Sequence, residues 1–325
     1  MEEERAVIRV LRSGQLGGGE EVLRFERDLE RFIGAGRATA VHTGSAALHL
    51  ALLALKVGAG DRVLLPTYAC AAVLNAVNYV GAEPILADVD PETANLDPDD
   101  VRRRLRPRTK ALIVPHLFGR RAPVGELFRL GVPVVEDCAM ALGGKVGREG
   151  ELSIFSFYAT KMISTGHGGA VTTRDRALAD RIRDIVEYDN RDDYRVRYNY
   201  RMSALVAGLG RVQLARVPDF VQRRRRIADY YCRTLELGDL PRDHIFYRFV
   251  LRVGSVGRFV RFMSARGVEC KRPVYRPLHR YFSGISGEYP GAEEMHRSWA
   301  SLPIYPSLRR EERDRVARAA CSFLE

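Results

Sequence analysis

Short apolar runs alternate with amphipathic stretches through the first half of the chain. "ATAVH" (Ala38–His42) has the apolar, β-branched character of a strand. "GSAALHLALLAL" follows as a helix with Ser45 near its start. "RVLLP" reads as a strand and "ACAAVLNAVNYVG" as a helix ended by Gly81. "EPILADVD" is a strand and "DPDDVRRRL" a helix with Asp97 as its cap. "KALIVPHLFG" is a strand, "PVGELFRLG" a helix, and "VPVVED" another strand. Strands that are apolar at successive positions and alternate with helices predict a mainly parallel sheet covered on both faces.

The pattern changes at Ser153. Two strand-like runs flank a glycine-rich turn that holds Lys161, His167 and three glycines. "RDRALADRIRDIVEY" is a helix, and "RDDYRVRYNYRM" reads as a long loop. A long helical region, Ser203 to Leu237, is interrupted near Pro218. Beyond it, "YRFVLRV" and "VECKRPVY" read as strands, with "VGRFVRFMSARG" and "RREERDRVARAACSFLE" as helices. The expected organisation is a large α/β domain over residues 1–222 and a small α+β domain over 223–325.

The length of 325 residues suits one large and one small domain. The 46% hydrophobic content is that of a soluble globular protein, and no apolar run is long enough to span a bilayer. The first residues are acidic and then amphipathic, unlike a secretory signal, so a cytoplasmic protein is expected, without a membrane partner. Five scattered cysteines without a C-x-x-C pair suggest reduced thiols and no metal site. The net charge of +11 suits an anionic substrate. No nucleic-acid-binding signature accompanies it, so no nucleic-acid partner is expected. The basic runs Arg102–Arg104 and Arg223–Arg226 read as solvated helix faces.

In open α/β sheets ligands sit beyond the carboxyl ends of the strands. Thr43, Gly44 and Ser45 lie there, opening a helix, where they either hold a phosphate or simply cap the helix. Asp137 ends a strand, either as a structural cap or as the acceptor for a protonated ligand nitrogen. Lys161 is either a surface lysine or a reactive amine. Ser156 stands in the strand before it. A phosphate site, a strand-end carboxylate, a serine and a lysine in this order together provide what pyridoxal phosphate needs.

The sequence resembles the DegT/DnrJ/StrS family of pyridoxal-phosphate-dependent sugar aminotransferases, of fold type I. "TGSAALHLAL" is similar to the family's S-G-T-x-A-L phosphate motif, "VVEDCAMALGG" to E-D-x-A-Q/H-A-x-G, and "FSFYATKMISTGHGGAVTT" to S-F-x-x-x-K with its glycine turn. "YNYRMSALVAGLGRVQL", "KRPVYRPLH" and "SLPIYPSL" match three further blocks in order. The resemblance implies a seven-stranded, mainly parallel sheet flanked by helices. It implies transfer of an amino group from an amino acid, glutamate or glutamine, to the keto group of a nucleotide-linked sugar. The course would be ping-pong, through pyridoxamine phosphate. By the same resemblance Lys161 forms the Schiff base and moves protons, and Asp137 pairs with the pyridine nitrogen. Gly44, Ser45, the Ala46 amide and Ser156 hold the phosphate. Asn199 reaches the cofactor of the neighbouring subunit in a homodimer, and His279 and Tyr305 border the sugar-nucleotide pocket.

Three positions depart from the family pattern. Met140 stands where Gln or His contacts the cofactor, and Cys70 where an aromatic commonly stacks on its ring. Tyr68 would point the same way as Cys70 if that segment is extended. His167 either faces the substrate or is an exposed loop residue. A sugar dehydratase or lyase on the same scaffold, and a non-catalytic regulatory protein, remain open as alternatives. The sugar, the nucleotide and the pathway, whether polysaccharide, glycan or antibiotic, are not specified by these motifs.

Overall fold

The computed structural model describes residues 2–34, 36–282 and 288–325. The N-terminal helices α1 (Glu2–Ser13) and α2 (Glu20–Ile33) lead into β1 (Arg37–Val41). Then come α3 (Gly44–Ala54), β2 (Arg62–Pro66), α4 (Ala71–Tyr79), β3 (Glu83–Ala87), α5 (Pro98–Arg104), β4 (Thr109–Pro115), α6 (Val124–Phe128) and β5 (Val134–Asp137). The turn that carries Lys161 joins β6 (Leu152–Ser156) to β7 (Gly169–Thr173).

These strands form a seven-stranded sheet in the order β1-β7-β6-β5-β4-β2-β3. All neighbours are parallel except β7, which runs antiparallel to both β6 and β1. The apolar runs alternate faces with period two. Val63, Leu65, Ala111, Ile113 and Val135 pack on one side with α3 and α4. Leu64, Leu112, Val114 and Val134 pack on the other with α5 and α6. Burial on both faces explains strands without polar alternation.

After β7 the chain forms α7 (Arg176–Val186), a long segment without helix or strand, then α8 (Ala204–Ala215) and α9 (Val217–Thr234). The break falls at Arg216, with Pro218 in the first turn of α9, where a missing amide is harmless. Helix α8 packs against α1 and α2. The C-terminal part adds β8 (Phe249–Arg252), α10 (Val256–Ser264), α11 (Pro290–Ser298), β9 (Trp299–Leu302) and α12 (Arg310–Leu324). β8 and β9 form a two-stranded antiparallel sheet over a core of Phe249, Leu251, Phe259, Met263 and Val316. Val274, Leu278, Tyr289 and Met295 instead join the core under the large sheet.

Two expectations need correction. Val268–Tyr275 is not a strand: it makes one isolated bridge, Lys271 to Ser301, and the partner of β8 is Trp299–Leu302. Pro273 lacks the amide a ladder needs. Nor is Arg223–Arg226 wholly solvated. Arg224 is 5% exposed and lies on the buried face of α9 with Phe220, Ile227, Ala228 and Tyr231. Its Nη1 donates to the carbonyls of Phe246, Tyr247 and Ile304 at 3.2, 3.1 and 2.7 Å, stitching α9 to the small sheet. Burial lowers its pKa to about 10. Among the described residues no helix is long and apolar enough to cross a membrane.

Candidate active site

The sheet brings three chain segments to one edge. Gly169 of β7 pairs with Val41 of β1 on one side and with Ser156 of β6 on the other. The end of β1, which leads into α3, therefore lies beside the end of β6, which leads to Lys161. The approach is close enough to require glycine. A Cβ on Gly169 would lie 2.5 Å from the Thr43 carbonyl, and one on Gly44 would lie 2.7 Å from the Ser156 Cβ.

Thr43 caps α3, its Oγ1 accepting from the Ala46 amide at 3.0 Å. The Ala46 amide expected to face a phosphate is thus engaged inside its own helix. The amides of Gly44 and Ser45 have no acceptor in the helix, whose positive end lies close to Ser156.

Asp137 ends β5 at 8% exposure. Its Oδ1 accepts from the Ala139 amide at 3.0 Å. Among the described residues no cationic side chain pairs with it within salt-bridge distance. Burial raises its pKa, opposed by the Ala139 amide and by the charges of Lys161 and His116. A carboxylate in this state favours any protonated nitrogen that can reach it.

Behind Asp137 stands a second pair. Glu136, 1% exposed, accepts from the amides of Gly147, Glu149 and Gly150 at 2.9, 2.7 and 2.7 Å, and meets His116 Nε2 at 3.0 Å. Burial pushes the Glu136 carboxyl up, but the His116 hydrogen bond and charge and the amides outweigh it and bring it down to about 2. His116 Nδ1 accepts from the Ala122 amide at 2.9 Å, so Nε2 carries the proton and donates to Glu136. His116, Glu136 and Cys138 lie close enough to hold an ion. Both imidazole nitrogens and both carboxylate oxygens are already engaged, however, which marks the group as a hydrogen-bonded support.

Lys161 is half-buried in a turn tied down by its own backbone. The Lys161 amide donates to Tyr158 O at 2.8 Å, and the Thr165 amide to Phe157 O at 3.0 Å. Met162 and Ile163 anchor the turn in the core. Lys161 Nζ lies 5.6 Å from the ring centroid of Tyr247, at the entry to β8.

A cleft of about 630 Å³ joins these pieces. Gly44, Ser45, Asp137, Ser156 and Lys161 line it, as do Cys70, Met140 and His167. His167 is exposed, with its ring 5.3 Å from that of Tyr158. Tyr68 does not line the cleft. The chain bends over Thr67–Ala69, so the alternation fails, and the Tyr68 ring is fully buried against Phe118. His279 is also outside the cleft, bonded to Thr67 Oγ1 and to Glu293, each at 2.7 Å. Tyr305 lines a neighbouring groove of about 770 Å³. Asn199 is exposed in the segment after α7 and lies outside the cleft of its own chain.

His116, Tyr247 and Arg248 line the cleft and were missed in the sequence. His116 lies directly beyond a strand end, so the strand-end rule could have found it. Tyr247 and Arg248 come from the small domain, and their arrival at the cleft is a tertiary fact without a local signal.

A model of the "DegT/DnrJ/EryC1/StrS aminotransferase family" matches residues 1–320. The chain is 33% identical over 318 residues to a GDP-perosamine synthase of Escherichia coli O157:H7, covering 90% of this chain and 87% of that one. It is 33% identical over 339 residues to a dTDP-3-amino-3,6-dideoxy-alpha-D-galactopyranose transaminase of Aneurinibacillus thermoaerophilus, with 97% and 93% covered. The fold superimposes on S. venezuelae DesV, solved in complex with a ketimine intermediate. The TM-score is 0.93 at 31% identity, with 100% of this chain and 94% of that one covered.

Proposed function

The chain belongs to the DegT/DnrJ/EryC1/StrS aminotransferase family, and on that premise we propose that it transfers an amino group from an amino acid, glutamate or glutamine, to the keto group of a nucleotide-linked sugar. The named relatives act on GDP- and dTDP-linked sugars. The observation that carries the reading is the meeting of Lys161, Asp137 and the start of α3 in one cleft.

The cleft fits pyridoxal phosphate. A buried carboxylate without a cationic partner suits a protonated ring nitrogen, and the tight Gly44–Ser156 approach leaves a polar cradle at a helix N-terminus for a phosphate. When bound, this cofactor supplies an aldehyde for covalent capture and an electron sink for the electrons released at the donor carbon.

The residues of this chain do the rest. Asp137 holds a proton at the ring nitrogen. Gly44, Ser45 and Ser156 hold the phosphate. Lys161 would supply the amine that holds the cofactor's aldehyde, and its Nζ would be the group placed to move a proton at the donor carbon. The engaged backbone of its turn limits how far Nζ wanders. Glu136 and His116 fix the floor beneath Asp137. Cys70 and Met140 line the same cleft and would offer the cofactor soft, weakly polar contacts. Asn199, exposed and remote from its own cleft, serves the neighbouring copy in a homodimer.

Addition of glutamate to the purified holoprotein shifts its near-ultraviolet absorbance to that of the aminated cofactor. Addition of a nucleotide-linked keto sugar then yields a product whose mass reports an amine. A Lys161→Ala variant that still completed multiple turnovers would overturn the reading.

A further inference from the structure

Four residues belong both to the cofactor cleft and to the neighbouring groove: Thr160, Lys161, Tyr247 and Arg248. Arg248 stands out among them because its charge has no counterpart. Other part-buried arginines spend their guanidinium on a carboxylate or on backbone carbonyls. Arg183 lies 2.9 Å from Glu26, Arg211 2.6 Å from Asp28, and Arg104 2.6 Å from Asp100. Among the described residues Arg248 makes no ion pair. Its Nη1 has one long contact, 3.4 Å to Ser301 Oγ, and its Nε is buried without an acceptor.

The position of Arg248 is fixed from its backbone. Its amide donates to Phe118 O at 3.1 Å, which ties the entry of β8 to the large domain. Its guanidinium carbon lies 5.6 Å from the centroid of Tyr247, the same ring that Lys161 Nζ approaches to 5.6 Å. One aromatic ring thus has the reactive amine and an unpaired guanidinium as its two cationic neighbours. A buried guanidinium N–H left without an acceptor on the wall of a cleft costs stability unless something completes it.

A planar fork of N–H donors with no protein anion matches a carboxylate. We propose that Arg248 binds a carboxylate of the amino-acid donor and so holds the donor at Lys161. This rests on the aminotransferase reading given above. The neighbouring groove widens the approach, and its exposed Lys271 and Arg315 draw an anion toward the same junction. Arg224 lines the same groove but not the cofactor cleft, and its Nη1 is engaged by three backbone carbonyls.

The test compares wild type with Arg248→Gln and Arg248→Lys as holoproteins with the cofactor bound. The half-reaction with glutamate is followed by cofactor absorbance across donor concentration. Arg248→Gln raises the half-saturating glutamate concentration about tenfold to a hundredfold, Arg248→Lys raises it less, and both keep the wild-type cofactor spectrum. The concentration dependence for the nucleotide sugar in the second half-reaction stays unchanged. An unchanged glutamate dependence in Arg248→Gln overturns the proposal. So does a loss confined to the sugar half-reaction, which would assign the guanidinium to a phosphate. Calorimetry with glutarate, a dicarboxylate that cannot react, separates this from the reading beneath it. If wild type aminates from no amino acid, the aminotransferase reading fails. Glutarate binding that is present in wild type and lost in Arg248→Gln still supports the carboxylate site, and equal binding by both proteins overturns it.

Discussion

Glu136 Oε2 lies 3.0 Å from His116 Nε2, one residue before the carboxylate that faces the cleft. Glu136 therefore works as an anchor: three backbone amides and one imidazole converge on it inside the core. Replacement by Gln puts an NH2 group where acceptors are needed and leaves buried amides unpaired. Glu136→Gln is expected to cost about 2–4 kcal/mol, read from denaturant midpoints. A midpoint within experimental error of wild type would contradict the anchoring role.

Asp137→Asn separates stability from chemistry. Without cofactor, Asp137 is a buried acid lacking a cationic partner, and its raised pKa means that burial disfavours the charge. Loss of the charge is expected to leave the thermal midpoint of the cofactor-free protein unchanged or raise it. The glutamate half-reaction is expected to fall by at least about a hundredfold, since a neutral amide no longer holds the ring proton. Parallel losses in both measurements would mean that Asp137 is structural.

Gly169→Ala inserts a methyl 2.5 Å from the Thr43 carbonyl. The β1–β7 pairing or the start of α3 must give way. The expected result is a loss of about 1–3 kcal/mol together with weaker cofactor retention, measured by thermal melting and by absorbance after dialysis. The damage to retention follows because Thr43 directly precedes Gly44 and Ser45, the residues proposed to hold the phosphate.

His244 gives a signed pH effect. Burial, reinforced by the charges of Arg120 and Arg225, lowers its pKa from 6.5 to about 3. Between those values the unfolded chain binds a proton that the folded chain refuses, so stability falls as pH falls through 6.5 toward 3. Its Nδ1 accepts from the Phe246 amide at 2.8 Å, a bond lost on protonation. Denaturation at pH 7 and pH 5 should differ by about 2 kcal/mol more in wild type than in His244→Gln. Identical slopes would remove His244 from the acid response.

The sheet was legible because burial on both faces leaves strands apolar throughout, and the helix breaks at Pro218 and Gly81 are local chemistry. Lys161, Asp137, Ser45 and Ser156 were legible because motifs near strand ends place them on the carboxyl edge. Tyr68 and Ala46 went astray for local geometric reasons: a bend breaks the alternation at one, and a cap consumes the amide of the other. Arg224 was misread because charge was weighed above period, although Phe220, Arg224, Ile227 and Tyr231 fall on one helical face. Arg248 and the second strand of the small sheet depend on chain folding back from far away, which no short window contains.

The antiparallel return of β7 sets the order in which the site can exist. Among the described residues β1 has only β7 for a neighbour within the sheet, through pairs such as Val41 with Gly169. In chain order β1 therefore waits, without its sheet partner, until β7 has been made. Such distant pairing is slow to form. Thr43, Ser156 and Lys161 meet only when that last edge closes, so a bound phosphate cannot template the early steps. Any ligand that bridges those three instead fastens the first strand of the sheet to its sixth and seventh, and its binding energy is spent on keeping that seam shut.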